Sequence, residues 1–258
     1  METSTTVKRI VCLANSRKEK ERCIAGKELL ADGSPGGWVR PVSDRPTEAV
    51  NAYERQYRDH SEPCVLDIID VPVVEARPNT YQAENWLLDP HPSHPPVFWD
   101  KVRRVSLDDL TQFTDPAEPL WTNGHSSDKG WNDRIPLYLA NTLDSSLRLI
   151  QVDRLELSTS SAKHTQKAPG FSPYRVQGRF RYDGVEYRLN VTDPIYEQEY
   201  GIRPNSKYSF DTCFLTISLG GPYKGHAYKL IAAVITSSEP AVTDAPSEDT
   251  AQIPLFTF

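Results

Sequence analysis

One dipeptide constrains the fold of this chain more than any other feature. Asp183-Gly184 separates two runs, Tyr174–Tyr182 and Val185–Val191, in which apolar and polar residues alternate. Alternation with period two marks strands with one buried face, and a two-residue Asp-Gly link suits the type I′ turn, which needs positive φ at both central positions. The turn then fixes the register. Tyr182 is predicted to face Val185, Phe180 to face Tyr187 and Val176 to face Val191, so that one side of the hairpin is apolar and belongs to a core. The other side sets Arg181 against Glu186, but Arg179 against Arg188, with Arg175 and Gln177 extending it. Like charges directly opposite destabilise a sheet unless an anion or water takes up the charge. The face therefore reads either as a solvated strand surface or as a phosphate-contacting one.

Other β-like runs fall at residues 7–14, 22–29, 38–43 and 64–75, and again at 147–157, 213–219 and 227–235, punctuated by Gly, Pro and Ser. Two short helices are expected. One spans 106–113, where Ser106 can cap and Asp108 and Asp109 suit the first turn; the other spans 193–200, with an Asp193 cap before Pro194. Eight of the 21 prolines lie between Arg77 and Pro136, which makes the middle loop-rich. The expected fold is all-β in the main: a first OB-like β domain over 1–105, a loop-rich connector over 106–146, a second OB-like β domain over 147–235, and a flexible acidic tail over 236–258 ending in a short interaction motif. No internal repeat is evident in the sequence.

The net charge of −6 argues against a protein that coats nucleic acid nonspecifically. Charge is nevertheless segregated. Residues 163–188 carry six basic and two acidic side chains, and residues 236–258 carry four acidic and no basic ones. A second cationic group, Arg17, Lys18, Lys20, Arg22 and Lys27, lies between two predicted strands, where it reads either as a loop gripping a nucleic-acid backbone or as an ordinary solvated one diluted by Glu19, Glu21 and Glu28. Trp38, beside Arg40, is either a base-stacking platform or core.

Signatures of catalysis are sparse. There is no nucleotide-binding glycine loop, no Gly-x-Ser-x-Gly and no His-Glu-x-x-His. Cys12, Cys23, Cys64 and Cys213 have no close pair, so neither a disulfide framework nor a zinc site is expected, and no cofactor is implied. His91 and His94 sit in a proline-stiffened stretch that reads as a surface turn. A polar loop holding His125, Asp128 and Asp133 fits no specific nucleophile and base. The longest apolar run, residues 230–235, is far short of the roughly 18 residues a membrane helix needs, and the polar start lacks a signal-peptide core, so a cytoplasmic location is expected.

Several segments, Arg9-Ile-Val-Cys-Leu-Ala-Asn-Ser-Arg-Lys18, Arg22-Cys-Ile-Ala-Gly-Lys27, Gly37-Trp-Val-Arg-Pro-Val-Ser43, Ser218-Leu-Gly-Gly-Pro-Tyr223 and Tyr228-Lys-Leu-Ile-Ala-Ala-Val234, resemble the bacterial dual OB-containing domain family. The resemblance covers nearly all of residues 7–235 and implies two OB-like barrels and nucleic-acid binding. Such barrels also bind sugars and proteins, so fold analogy alone is a weak warrant for function. Near the end, Gln252-Ile-Pro-Leu-Phe256 is similar to the bacterial sliding-clamp-binding pentapeptide, departing from it at Pro254. That similarity implies that Gln252, Ile253, Leu255 and Phe256 engage a clamp, with Leu255 and Phe256 as apolar anchors. The rival for this segment is that it docks on its own barrel.

The sequence thus points to a module that binds DNA or RNA through Arg175, Arg179, Arg188, Arg17, Lys18, Trp38 and Arg40 and is recruited to the replication clamp by its tail, in repair, replication or defence against foreign DNA. The alternatives are an enzyme acting on nucleic acid or a nucleotide, with its site among His125, Asp128 and Asp133, and a protein-interaction adaptor.

Overall fold

A computed structural model describes residues 5–89, 98–161 and 173–242. The first half of the chain contains β1 (Thr6–Lys18), β2 (Glu21–Leu29), β3 (Pro35–Val42), α1 (Ala52–Arg55), β4 (Asp67–Ala76), β5 (Asn85–Leu88) and β6 (Asp100–Arg104). A 3-10 helix (Asp108–Phe113), β7 (Arg134–Pro136) and α2 (Leu137–Ala140) follow. The second half contains β8 (Leu147–Val152), β9 (Leu155–Ser161), β10 (Tyr174–Tyr182), β11 (Val185–Val191), α3 (Pro194–Tyr200), β12 (Lys207–Phe210), β13 (Cys213–Leu219), β14 (His226–Ile235) and β15 (Ala241–Val242). No helix among the described residues is long and apolar enough to cross a membrane.

The first sheet closes into a five-stranded barrel in the order β1-β2-β3-β5-β4-β1, with β6 added outside β4. Closure depends on the length of β1. Its first half, Thr6 to Val11, pairs with β4, and its second half, from Ile10 onward, pairs with β2. A register shift between Cys12 and Ala14 bends the strand between these two duties. Across from that bend sits Gly26, where a Cβ would collide with the backbone carbonyl of Val11. The strand beside the bend therefore needs a residue without a side chain. Ile10, Cys12, Ile24, Val39, Ile69, Val71 and Val73 fill the interior.

The second sheet repeats this winding. Its path runs β9-β10-β11-β14-β13-β8, and only Asp153 and Arg154 separate β8 from β9. Taken as one strand bent at that corner, β8 and β9 stand where β1 stands in the first barrel. In both sheets the third strand pairs in parallel with the last, β3 with β5 and β11 with β14. In both, a helix follows the third strand. The repeat that no sequence similarity betrayed is thus one of topology. β12 and β15 extend the sheet beyond β9.

Several sequence expectations change. Residues 17–22 form a continuous antiparallel ladder with a tight turn at Glu19 and Lys20, not a mobile loop, because β1 reaches Lys18 and β2 begins at Glu21. The connector contributes β7, paired to β14, as well as the 3-10 helix and α2. Part of the expected tail is structured, since Ala241 pairs with Ser209 and Val242 with Tyr208. Helix α3 forms as its sequence predicts, with the Asp193 side chain accepting from the backbone N–H groups of Ile195 and Tyr196. Ser106 Oγ accepts from the Asp109 N–H at the predicted start of the other helix, which adopts the 3-10 form.

The two barrels share a core. Val11, Leu13, Ala14 and Ala25 of the first barrel pack with Leu147, Leu149, Phe214, Ala232 and Ala233 of the second and with Leu110 and Phe113 of the 3-10 helix. Polar links reinforce the junction. Thr216 Oγ1 donates to the carbonyl of Leu13 (2.5 Å), the Arg17 N–H to that of Thr192 (2.8 Å) and Tyr81 OH to that of Gly220 (2.6 Å).

Candidate nucleic-acid interface

The hairpin β10–β11 adopts the register that its turn dictates. Tyr182 faces Val185, Phe180 faces Tyr187, Arg181 faces Glu186 and Arg179 faces Arg188. Asp183 and Gly184 have φ of 45° and 72°, as a type I′ turn requires. Val176, Phe180, Tyr187, Leu189 and Val191 are buried in the second barrel's core, so Arg179, Arg181 and Arg188 lie on the outer face.

What sits at the arginine pair is a tryptophan and two carboxylates. Trp131 comes from the connector loop and lies along β11, where its N–H donates to the Arg188 carbonyl (3.2 Å) and its carbonyl accepts from the Arg188 N–H (3.1 Å). Its half-exposed ring centroid is 4.3 Å from the Arg188 Cζ and 5.1 Å from the Arg179 Cζ, within cation–π range of both. Arg179 is further compensated by Glu186 at close range and by Glu156 at 3.9 Å. Arg181 and Arg188 have no ion-pair partner among the described residues. A shallow depression of about 350 Å³ lined by Arg154, Glu156, Arg179, Phe180, Arg181 and Glu186 adjoins them. Arg175 lies further along β10, opposite Ser160 of β9.

The Trp131 loop is rigidly built. The buried carboxylate of Asp133 accepts from Ser127 N–H (2.7 Å) and Oγ (2.5 Å), and Asn132 Nδ2 donates to the Glu186 carbonyl (3.0 Å). Beneath the loop lies Lys229, fully buried, whose Nζ donates to the Thr122 carbonyl (2.9 Å) and Asn123 Oδ1 (2.8 Å). Burial pulls its ammonium down to about 7, with Asp133 acting in the opposite direction. Sequence reasoning missed both Trp131 and Lys229. The signal for the former was a lone tryptophan in an otherwise polar loop.

The remaining candidates do not join this face. Arg40 is 2% exposed, and its Nη2 donates to Ser146 Oγ (2.7 Å) and pairs with buried Glu84 (2.8 Å), so it is not available to a nucleic-acid surface. The Trp38 indole N–H donates to Asp115 Oδ2 (3.1 Å), and the same carboxylate group receives the Lys27 ammonium (2.8 Å) and the Leu149 N–H (2.7 Å). Trp38, Lys27 and Arg40 therefore serve the junction between the barrels. Arg17 pairs with Glu197 on α3, whose carboxyl is pushed up to about 7 by burial, and Lys18 lies 3.6 Å from Glu48. Trp38, Lys27 and Arg40 are taken up by the connector and Arg17 by α3, whereas Arg179 and Arg181 on β10 are exposed.

No hydrogen bond or ion pair joins the side chains of His125, Asp128 and Asp133, and Asp133 is committed to closing its own loop. No cluster of three His, Cys, Asp or Glu among the described residues has metal-binding geometry. His91, His94 and the tail residues Gln252, Ile253, Leu255 and Phe256 lie outside the described residues.

No curated protein sequence and no solved structure matches the chain. Residues 8–234 match the family model described as the dual OB-containing domain, a span that takes in the closed barrel, the connector and the second sheet with its repeated winding. With that match over most of its length, the chain belongs to the dual OB-containing domain family.

Proposed function

We propose that this chain is a nucleic-acid-binding module whose contact surface is the outer face of β10 and β11, completed by Trp131. The observation that carries the reading is the pairing of Arg179 with Arg188 beneath an exposed indole, next to Arg181. In OB folds the face of the second and third strands is the one that binds oligonucleotides, and β10 and β11 occupy those places in the second winding. Arginines without carboxylate partners supply phosphate contacts, and the indole supplies a stacking surface. In this reading the chain divides into an OB-like unit over 1–105, a connector over 106–146, a second OB-like unit over 147–235 and a tail beyond. The first unit acts as scaffold, because its corresponding face is occupied.

The test is a salt titration of oligonucleotide binding. Replacing Arg181 and Arg188 with Ala should weaken binding and flatten the dependence of log K on log salt by about 0.7–0.9 per lost phosphate contact. An unchanged affinity and slope with the fold intact would refute the reading. For the tail we propose recruitment to a bacterial sliding clamp through Gln252, Ile253, Leu255 and Phe256, as the pentapeptide's chemistry suggests. A purified clamp that binds the intact chain and a chain ending at Thr250 equally well would refute that part alone.

A further inference from the structure

Four aromatic side chains among the described residues are exposed: Tyr53, Trp131, Tyr138 and Tyr223. Two of them, Tyr138 and Tyr223, lie on neighbouring segments joined by a backbone hydrogen bond. Tyr223 and His226 bracket a tight turn, exchanging backbone hydrogen bonds of 2.9 and 3.1 Å. Lys224 and Gly225 between them have φ of 47° and 75°, the values of a rigid type I′ turn. The Leu137 N–H donates to the Gly225 carbonyl (3.1 Å), which seats α2 against the turn and brings in Tyr138, the next residue, 72% exposed. Tyr223 is 59% exposed, its ring centroid 6.1 Å from that of Tyr228 and 5.4 Å from Lys224 Nζ.

Single exposed apolar groups need no explanation, but rings gathered on a stiff turn beside a cation do. The corner is also continuous with the face described above. Arg134 pairs with Tyr228, and Trp131, three residues before it, pairs with Arg188. Tyr228 points outward between buried Ala227 and buried Lys229, which places it on the same side of the sheet as Arg188. The patch presents two exposed tyrosine rings and the Lys224 ammonium. Its rings and cation suit flat aromatic groups joined by phosphates.

We propose that Tyr223 and Tyr138 form a second stacking station for unpaired bases of the nucleic-acid strand whose other contacts are Trp131 and the β10–β11 arginines. This rests on the function proposed above and deepens it, because a base is free to stack on these rings only where it is unpaired. The preferred ligand is therefore single-stranded and long enough to span both stations, within the 4–16 nucleotides typical of one OB fold.

The experiment measures fluorescence-anisotropy binding of oligothymidylates of 4, 8 and 16 nucleotides to the full chain, to the double variant Tyr223→Ala/Tyr138→Ala, to Tyr223→Phe/Tyr138→Phe and to Trp131→Ala. The alanine pair should lose roughly tenfold in affinity for the 16-mer while binding the 4-mer within twofold of the parent. The phenylalanine pair should retain both affinities, and Trp131→Ala should weaken every length. If the alanine pair binds all lengths as the parent does while Trp131→Ala is impaired, the second station is overturned and the primary face stands. If the parent binds no oligonucleotide of any length, both readings fall.

Discussion

Replacing Lys229 with methionine should remove a pH dependence from the stability of the whole chain. An unfolded lysine keeps its proton up to about 10.5, whereas the buried Lys229 gives it up near 7. Between those values the unfolded chain binds more protons than the folded one, so stability rises with pH; below about 7 the penalty for burying the ammonium is complete and constant. The slope approaches about 1.4 kcal/mol per pH unit, or about 2 kcal/mol between pH 7.5 and 9. Methionine does not titrate, and it leaves the Thr122 carbonyl and the Asn123 amide oxygen without their donor, at about 1–3 kcal/mol each. Removing the ammonium also removes its burial penalty, so near neutral pH the two effects offset, and the difference between the proteins should move in the parent's favour as pH rises. Asp193 and Glu197, pushed up to about 6 and about 7 by burial, change charge mostly below this window, and they cancel in the difference between the two proteins. Urea unfolding at half-unit intervals from pH 7 to 9 gives both curves. Parallel curves would show that Lys229 is not a buried, proton-losing amine.

Two further outcomes test the junction and the barrel. Glu84→Gln should cost about 3–5 kcal/mol in chemical denaturation, because it strands the buried Arg40 guanidinium, and a loss below about 1 kcal/mol would contradict that role. Gly26→Ala should lower stability by about 1–3 kcal/mol, since a methyl group there meets the unyielding backbone of Val11; an unchanged melting temperature would mean the barrel accommodates it.

The hairpin was legible because everything that defines it is local: Asp183-Gly184 sets the turn, the turn sets the register, and alternation sets the faces. The long runs that became β1, β2, β10 and β14 were legible for the same reason. The strands that went unread are short or poorly patterned. β5 and β12 have four residues each, β7 has three, and β6 is Asp-Lys-Val-Arg-Arg, exposed throughout; each is held by a partner strand distant in sequence. The site was half legible. Arg179 and Arg188 could be paired on paper, but Trp131 reaches them by a bridge spanning more than fifty residues. The assignments of Trp38 and Arg40 to the surface failed on the same non-locality. Whether the outer face of a barrel meets water depends on what docks there, and nothing near Trp38 announces Asp115 or Ser146.

The shared cluster between the barrels makes the chain behave like an obligate heterodimer whose subunits happen to be joined. Cut between the halves, each would present apolar side chains that now face one another, Val11 and Leu13 on one fragment and Leu149, Phe214 and Ala233 on the other. The connector supplies Leu110 and Phe113 to the same cluster, so it is a tether and a part of the seal at once, holding the partners at an effective concentration that two separate fragments in dilute solution would not reach. Gene fragments encoding either half should yield aggregated or mutually dependent products, recovered only when co-expressed. The arginine face of β10 and β11 would then be lost with the fold of the second barrel.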